Sequence, residues 1–125
     1  MNESRQIKIK KLEQRLIKFS IMVLELQEKI NKSRSGAHLG SQLLRSGTSP
    51  ALNYAEAQVA SSLNDFVHKM RICLKELKES YVTLTIILKK PLTTDTKLVE
   101  SMIDECNELI AIFVSSIKKA SEKLK

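Results

Sequence analysis

The residues from Ile9 to Ile30 read IKKLEQRLIKFSIMVLELQEKI. Apolar side chains recur there in alternating steps of three and four, at Ile9, Leu12, Leu16, Phe19, Val23, Leu26 and Ile30. This spacing is typical of a helix that packs lengthwise against nearly parallel or antiparallel neighbours. The stretch therefore predicts a long amphipathic helix, which should end near Asn31 because a polar turn containing Gly36 follows.

The same alternating steps recur in two later segments. One stripe contains Leu63, Val67, Met70, Leu74, Leu77, Tyr81, Leu84 and Leu88, and another contains Val99, Met102, Cys106, Leu109, Phe113, Ile117, Ala120 and Leu124. A further helical segment lies between the first stripe and these two. We therefore expect helices at 7–31, 37–60, 64–89 and 95–122. Four long helices with short links predict an all-α, antiparallel up-down-up-down four-helix bundle.

Local signals mark the ends of the later helices. Asn64 is the first choice for the N-cap of the third helix, with Ser62 as its competitor. Pro91 should end that helix at Lys89, since proline disfavours helical geometry at the residue before it. Asp95, in a Thr-Thr-Asp run, is the expected N-cap of the fourth helix.

Length and composition agree with this reading. The chain has 125 residues, which suits one domain over 1–125. Aromatic residues make up 4% of the chain, so the core must be aliphatic. Three glycines and two prolines are too few for a turn-rich β fold.

The positive charge is concentrated near the N-terminus. The formal net charge is +7, and residues 1–45 hold ten Lys or Arg against four Asp or Glu. The densest basic segment consists of Lys8, Lys10, Lys11, Arg15 and Lys18. Such a surface predicts an anionic partner such as RNA or a ribonucleoprotein, whereas the alternative is charge that serves only solubility. Because no aromatic residues interleave these cations, we expect contacts to phosphates, not stacking on bases.

Two cysteines, Cys73 and Cys106, each fall on an apolar stripe. We expect two buried free thiols in a reducing cytoplasm. The chain lacks the Cys and His spacings of zinc sites, so no metal and no cofactor are expected. It also lacks an apolar signal segment or a bilayer-spanning stretch, which predicts a cytoplasmic protein without a membrane partner.

Two helices carry a second apolar face. On the first helix, Ile17, Ile21 and Leu24 lie roughly opposite the main stripe, and Ile72 and Ile86 do so on the third. Exposed apolar faces usually mark an interface, so these residues are candidates for contacts in a homo-oligomer. The alternative is scattered surface aliphatics without an interface.

The second helix carries a polar row. At about 100° per residue, Arg45, Ser49, Asn53 and Glu56 fall within about 80° of one another. Ser49 has no histidine within two turns and the stretch is no phosphate loop, so a catalytic role is not expected. We expect one hydrogen-bonded row that sets helix register or a subunit contact, and the competing interpretation is a solvated RNA-facing surface.

Pro50 interrupts this segment. Proline removes a backbone hydrogen bond and clashes with the preceding turn, which predicts a kinked or restarted helix. The hydroxyls of Ser46, Thr48 and Ser49 could satisfy the freed carbonyls. Small residues such as Gly47 on the opposite side should allow another helix to approach closely.

Several stretches resemble one protein family. They are residues 42–49, Asn53, residues 56–58, 65–70 and 74–76, and Glu79-Ser80. Together they are similar to the bacterial four-helix-bundle proteins first noticed in ribosomal RNA intervening sequences, over residues 10–115. The accessory protein of diversity-generating retroelements is a relative. The chain departs from the family pattern at Pro50 and at residues 81–84.

This resemblance implies an antiparallel four-helix bundle that assembles into a ring-like homopentamer without enzyme activity. It also implies association with RNA or the ribosome, or, as in the retroelement relatives, with a reverse transcriptase and RNA. We therefore expect a non-enzymatic, homo-oligomeric protein with an RNA or ribonucleoprotein scaffold role. The alternative is a purely structural protein–protein interaction module, such as an accessory subunit of a reverse transcriptase, without direct nucleic-acid binding.

Overall fold

The computed structural model of the protein describes residues 3–124, and over this range it contains four helices and no strand. They are α1 (Glu3–Gln27), α2 (Arg34–Gln58), α3 (Leu63–Lys89) and α4 (Thr96–Glu122). Each helix packs against two others in the cyclic order α1, α2, α3, α4, so that α1 and α3 lie at diagonal corners. The all-α four-helix prediction is confirmed.

Contacts between neighbouring helices run in opposite chain directions. Between α2 and α3, Arg45 pairs with Glu79 near the middle of both helices, and Glu56 pairs with Lys69 closer to the α2–α3 link. Between α1 and α4, Arg15 pairs with Glu105, while Lys29, just after α1, pairs with Asp95, the residue just before α4. Residue numbers rise on one helix as they fall on its neighbour, which is the antiparallel arrangement expected from the short links.

The first link is longer than expected. Helix α1 ends at Gln27 instead of residue 31, and α2 begins at Arg34 instead of residue 37. The earlier start of α2 follows from Ser33, whose hydroxyl accepts a hydrogen bond from the Gly36 amide at 3.1 Å. Asn31 leaves the helix because its amide donates to the Leu92 carbonyl at 2.8 Å.

The third and fourth helices begin with side-chain caps. Ser62 caps α3 by accepting from the Asp65 amide at 3.1 Å, so the preference for Asn64 was wrong and its competitor is right. Asp95 caps α4 by accepting from the Leu98 amide, as predicted. Helix α3 ends at Lys89, two residues before Pro91, as expected.

The core contains the predicted apolar stripes, but on α3 the buried face is rotated relative to the predicted stripe. Leu16, Phe19, Val23 and Leu26 of α1 are buried, and so are the α4 stripe residues from Val99 to Ala120. On α3, however, the buried line includes Cys73, Ser80 and Ile87, whereas Leu74 and Leu88 are half-buried and Tyr81 is exposed. The reason is that the contacts of α3 with α2 and α4 are the most extensive between helices of the described chain, which widens the buried face of α3 beyond one stripe.

The α1–α2 and α3–α4 links meet at one end of the bundle. The Thr93 hydroxyl donates to the Lys29 carbonyl at 2.8 Å, and the Lys29 ammonium pairs with Asp95 at 2.7 Å. The hydrogen bond from Lys29 is the main reason that the pKa of Asp95 lies below its ordinary value, and the hydrogen bond from the Leu98 amide is the second. The α2–α3 link lies at the opposite end, with the start of α1 and the end of α4.

Candidate functional site

The segment around Pro50 is one continuous helix. Helix α2 runs from Arg34 to Gln58 with Pro50 inside it, so the restarted-helix alternative is wrong. The nearby hydroxyls also have different partners: Thr48 donates to the Leu44 carbonyl at 2.6 Å, and Ser46 accepts from Ser80 of α3 at 2.8 Å. The Cys73 thiol reaches the Pro50 carbonyl at 3.5 Å. Residues of α3 therefore stabilise the proline-containing turn.

Arg45, the first residue of the polar row, bridges two carboxylates of α3. Its guanidinium donates to Glu76 at 2.8 Å and is also hydrogen-bonded to Glu79. Its own side chain is 53% exposed, whereas that of Glu76 is 7% exposed. The arginine thus covers the buried Glu76 carboxylate where α2 packs against α3. Through this pair, a charged group lies in the interior of the protein.

The rest of the row has separate partners. Asn53 donates to the Ser49 hydroxyl at 2.9 Å and to the Ser49 carbonyl at 3.1 Å. Glu56 pairs with Lys69 of α3 at 2.8 Å. Within residues 3–124, no hydrogen bond connects these groups to Arg45, so the four residues form three local groups along α2 instead of one network.

The opposite face of α2 is closely packed. Gly47 is buried against α1, and a Cβ atom there would lie 2.5 Å from a methyl group of Val23. Ser46 and Ser80, which share a hydrogen bond, are both fully buried. The small residues of this stretch therefore allow α2 to approach its neighbours closely, as their size predicts.

The second apolar faces of α1 and α3 point outward. Ile17, Ile21 and Leu24 are 41%, 49% and 52% exposed, and Ile86 is 45% exposed. Ile72 differs, because its side chain is half-buried. Since α1 and α3 occupy diagonal corners, the two apolar faces lie on opposite sides of the protein.

The basic segment of α1 splits into paired and unpaired cations. Lys10 pairs with Glu13 at 3.3 Å, and Arg15 pairs with Glu105 at 2.7 Å. The hydrogen bond to Glu105 is the main reason that the pKa of Arg15 is raised. Three lysines of the segment form no ion pair with residues 3–124, namely Lys8, Lys11 and Lys18.

An open pocket of about 540 Å³ lies beside this segment, at the end of the bundle that carries the α2–α3 link. Lys8, Lys11 and Arg15 line it together with Tyr54 of α2 and Phe66 of α3. We call it the basic-end pocket. Sequence reasoning missed the two aromatic residues because they come from other helices, and their only signal was that aromatics are rare in this chain.

The two thiols are buried and unpaired, as predicted. Burial raises the pKa of both Cys73 and Cys106 to about 12.

Within residues 3–124, no three His, Cys, Asp or Glu side chains are grouped closely enough to hold a metal ion. None of the described helices combines the length and apolar character that crossing a bilayer requires.

Comparison with known proteins supports the resemblance seen in the sequence. The family model of the 23S rRNA-intervening sequence protein matches residues 10–115. The fold is similar to the crystal structure of a protein of unknown function from the S23 ribosomal protein family of Bacteroides thetaiotaomicron. The TM-score is 0.80 with 28% identity, and the match covers 89% of this chain and 98% of that one. No curated protein matches the chain in sequence. Because the family model spans most of its length, the chain belongs to the family of 23S rRNA-intervening sequence proteins.

Proposed function

We propose that the protein is a non-enzymatic, homo-oligomeric scaffold of the cytoplasm that binds RNA or a ribonucleoprotein through phosphate groups. The observation that carries this proposal is the convergence of lysines at one end of the bundle. Lys8 and Lys11 of α1 and Lys119 and Lys123 at the end of α4 line one pocket, and none forms an ion pair with residues 3–124. Unpaired cations in one place attract a polyanion more strongly than the same charges paired or spread out.

The link to RNA draws further support from the family, whose name refers to 23S rRNA. Lysine ammonium groups contact phosphates without reading the base sequence, so binding should depend little on sequence. It should weaken as salt rises, because each neutralised phosphate releases condensed counterions.

The outward aliphatic faces support self-association. A surface on α1 that meets a surface on α3 of the next copy makes a head-to-tail interface, which can repeat and close into a ring. The opposite placement of Ile21 and Ile86 on the bundle suits this kind of contact. The family resemblance favours a ring of five copies.

Titration of a fluorescent single-stranded RNA at several salt concentrations tests the RNA proposal. For a variant with Lys8→Ala and Lys11→Ala, we expect weaker binding and a salt slope about 1.4 smaller, since each phosphate that is no longer neutralised reduces the slope by ~0.7. Lys32→Ala with Lys97→Ala removes the same charge at the opposite end of the bundle and should leave the slope unchanged. Equal slopes for all three proteins would contradict binding at the basic end.

A second function has its own support. The exposed aliphatic residues on α1 and α3 also suit a protein–protein interaction module that never contacts RNA, such as an accessory subunit of a reverse transcriptase. Absence of RNA binding even at low salt, with an intact oligomer, would favour this module over the RNA scaffold.

A further inference from the structure

The basic-end pocket is built by all four helices. Its walls extend along α1 from Arg5 to Arg15 and along α4 from Ile112 to Lys123. At 1.5 Å per residue, each wall is about 15 Å long. The volume of about 540 Å³ lies within the range of small-molecule sites. The pocket is therefore long enough for an extended small molecule and is open at its mouth.

The interior of the pocket is mainly apolar. Its walls include Leu12 of α1, Phe66 and Met70 of α3, and Ile112 of α4. Met70 belongs to the buried core, whereas Leu12 and Phe66 are half-buried and pack against that core. An apolar wall that reaches down to the core offers more contact to a chain or ring than a flat surface does.

The lining of the pocket carries one sign of charge. Six basic residues line it, and its described lining contains no acidic residue; the six are Arg5, Lys8, Lys11, Arg15, Lys119 and Lys123. Arg15 is neutralised by Glu105 and Glu108, but the four lysines form no ion pair with residues 3–124. A cleft of uniform charge next to an apolar wall concentrates anions.

A tyrosine of α2, Tyr54, also borders the pocket. Tyr54 is 4% exposed, packs edge-on against Phe113 with ring centroids 5.9 Å apart, and lines the pocket. Its hydroxyl makes no hydrogen bond with residues 3–124. Burial raises the pKa of Tyr54 to about 12, so the hydroxyl keeps its proton near neutral pH. The ring is buried but the hydroxyl is not among the fully buried atoms, so a ligand or water in the pocket can accept its hydrogen bond.

We propose that the basic-end pocket binds a single-chain amphipathic anion, with an apolar chain along Leu12, Phe66 and Ile112 and an anionic head group among the lysines. The chain is covered by the apolar wall, and the head group is met by Lys8, Lys11, Lys119 and Lys123. The Tyr54 hydroxyl donates a hydrogen bond to the head group or to water beside it. The proposal concerns a small ligand and does not depend on RNA binding.

Two other occupants fit the pocket less well. A nucleobase needs several hydrogen-bonding groups for its edges, but apart from the cations the polar side chains of the described lining are only those of Tyr54, Gln58 and Ser116. The Gln58 amide already donates to the Tyr54 carbonyl at 3.4 Å. An anionic bilayer presents a flat surface, which does not follow a concave wall.

Calorimetric titration of the full chain with dodecanoate tests the proposal. We expect saturable binding of one molecule per chain, and about fourfold weaker binding for each methylene removed in decanoate and octanoate. Dodecyltrimethylammonium, with a chain of equal length and opposite charge, should bind at least tenfold more weakly. Equal affinity for the cation and the anion, or no saturable binding of dodecanoate, would overturn the proposal.

Variants locate the ligand. Ser116→Trp, which adds a large side chain to the pocket lining, and Lys8→Glu with Lys119→Glu, which reverses two of the lining charges, should each reduce affinity at least tenfold. Lys18→Glu with Lys97→Glu makes the same charge change outside the pocket and should keep the affinity within about twofold of the parent. Tyr54→Phe should weaken binding severalfold while the helical circular dichroism is unchanged.

Two competing outcomes also count against the proposal. Adenosine monophosphate that binds more tightly than dodecanoate would show that the pocket takes a nucleotide. A higher affinity for phosphatidylglycerol vesicles, measured by flotation, than for free dodecanoate would show that the basic end contacts a membrane surface. If the pocket variants and the control variant bind dodecanoate with equal affinity, the ligand lies elsewhere on the protein.

Discussion

The guanidinium of Arg45 on α2 and the carboxylate of Glu76 on α3 are hydrogen-bonded at 2.8 Å, and the arginine shields the acid from water. The Glu76 side chain is 7% exposed, and its other cation is Lys75, at 3.8 Å. Arg45 also bonds to Glu79, so one arginine holds two carboxylates of the neighbouring helix. A buried carboxylate that loses such a partner keeps the cost of its desolvation.

The first prediction concerns this pair. Arg45→Ala should lower the free energy of unfolding by about 1–3 kcal/mol, because Glu76 loses its main counter-charge. The value lies below that of a fully buried pair because water reaches the exposed half of the arginine. Arg45→Lys should recover only part of the loss, since one ammonium cannot donate in two directions as a guanidinium does. Urea titrations of the three proteins measure the difference.

A matched control is Lys10→Ala, which removes an exposed ion pair with Glu13. Its unfolding free energy should stay within about 0.5 kcal/mol of the parent. If Arg45→Ala is as stable as Lys10→Ala, the carboxylates of Glu76 and Glu79 do not need the arginine for stability. The polar row of α2 would then be better explained as a binding surface.

The second prediction compares two glycines of α2 that face α1. Gly47→Ala places a Cβ 2.5 Å from a buried Val23 methyl group, so the helices must separate or the valine must leave its rotamer. We expect a loss of about 1–2 kcal/mol after the gain in helix propensity is counted. Gly40→Ala meets only the Gln27 amide oxygen at 3.3 Å and a methyl of Ile30 at 3.6 Å. It should be neutral or more stable by up to about 1 kcal/mol.

Thermal melts of both variants decide the matter. A Gly47→Ala protein that melts above the parent would mean that α1 and α2 have room to move apart without loss of packing. The pair separates close helix approach from helix propensity, because the propensity gain is the same at both positions.

The helices could be predicted from sequence because their apolar spacing is a local property. Asp95 as a cap and Lys89 as the last residue of α3 also depend on neighbours in the chain, and both were predicted correctly. The end of α1 was not, because Asn31 is held by the Leu92 carbonyl, more than sixty residues away. The exposure of Tyr81 likewise depends on how α3 is rotated between two neighbours.

The candidate sites divide in the same way. The shared face of Arg45, Ser49, Asn53 and Glu56 follows from helical periodicity, but their separate partners on α3 or within α2 depend on tertiary packing. The basic-end pocket was missed for a related reason. It joins ends of all four helices, and no window of sequence places Tyr54 beside the lysines of α1 and α4.

The third prediction concerns Cys73 and Cys106. Burial raises the pKa of both thiols to about 12, so thiolate is scarce in the folded protein near neutral pH. Ellman's reagent should react slowly with the native protein and with two thiols per chain in concentrated guanidinium chloride. Rapid reaction of either thiol in the native protein would contradict the packing of α3 against its neighbours.

The same shifts predict a dependence of stability on alkaline pH. An unfolded thiol ionises near its ordinary pKa of about 8.5, whereas the folded thiols keep their protons to about pH 12. The folded state therefore binds more protons in this window, and stability should fall as pH rises through it. Cys73→Ala with Cys106→Ala should show a shallower fall, whatever its stability near neutral pH. Equal slopes for the variant and the parent would show that the thiols are not desolvated.

The fourth prediction tests the head-to-tail assembly. Ile21→Glu damages the outer face of α1 and Ile86→Glu damages that of α3, while both positions are about half exposed and leave the core intact. If the face of α1 meets the face of α3, each variant alone lacks one half of every contact. We expect each to be a monomer by light scattering, with helical circular dichroism close to that of the parent.

Mixing the two variants distinguishes this interface from a symmetric one. The intact α1 face of the Ile86→Glu protein can meet the intact α3 face of the Ile21→Glu protein, and the damaged faces then cap the pair. A head-to-tail interface therefore predicts that two monomers combine into a dimer that grows no further. A symmetric α3-to-α3 contact predicts instead that Ile21→Glu forms dimers on its own. Light scattering of the separate and mixed proteins at equal total concentration measures the outcome, and a parent that is itself monomeric would exclude both interfaces.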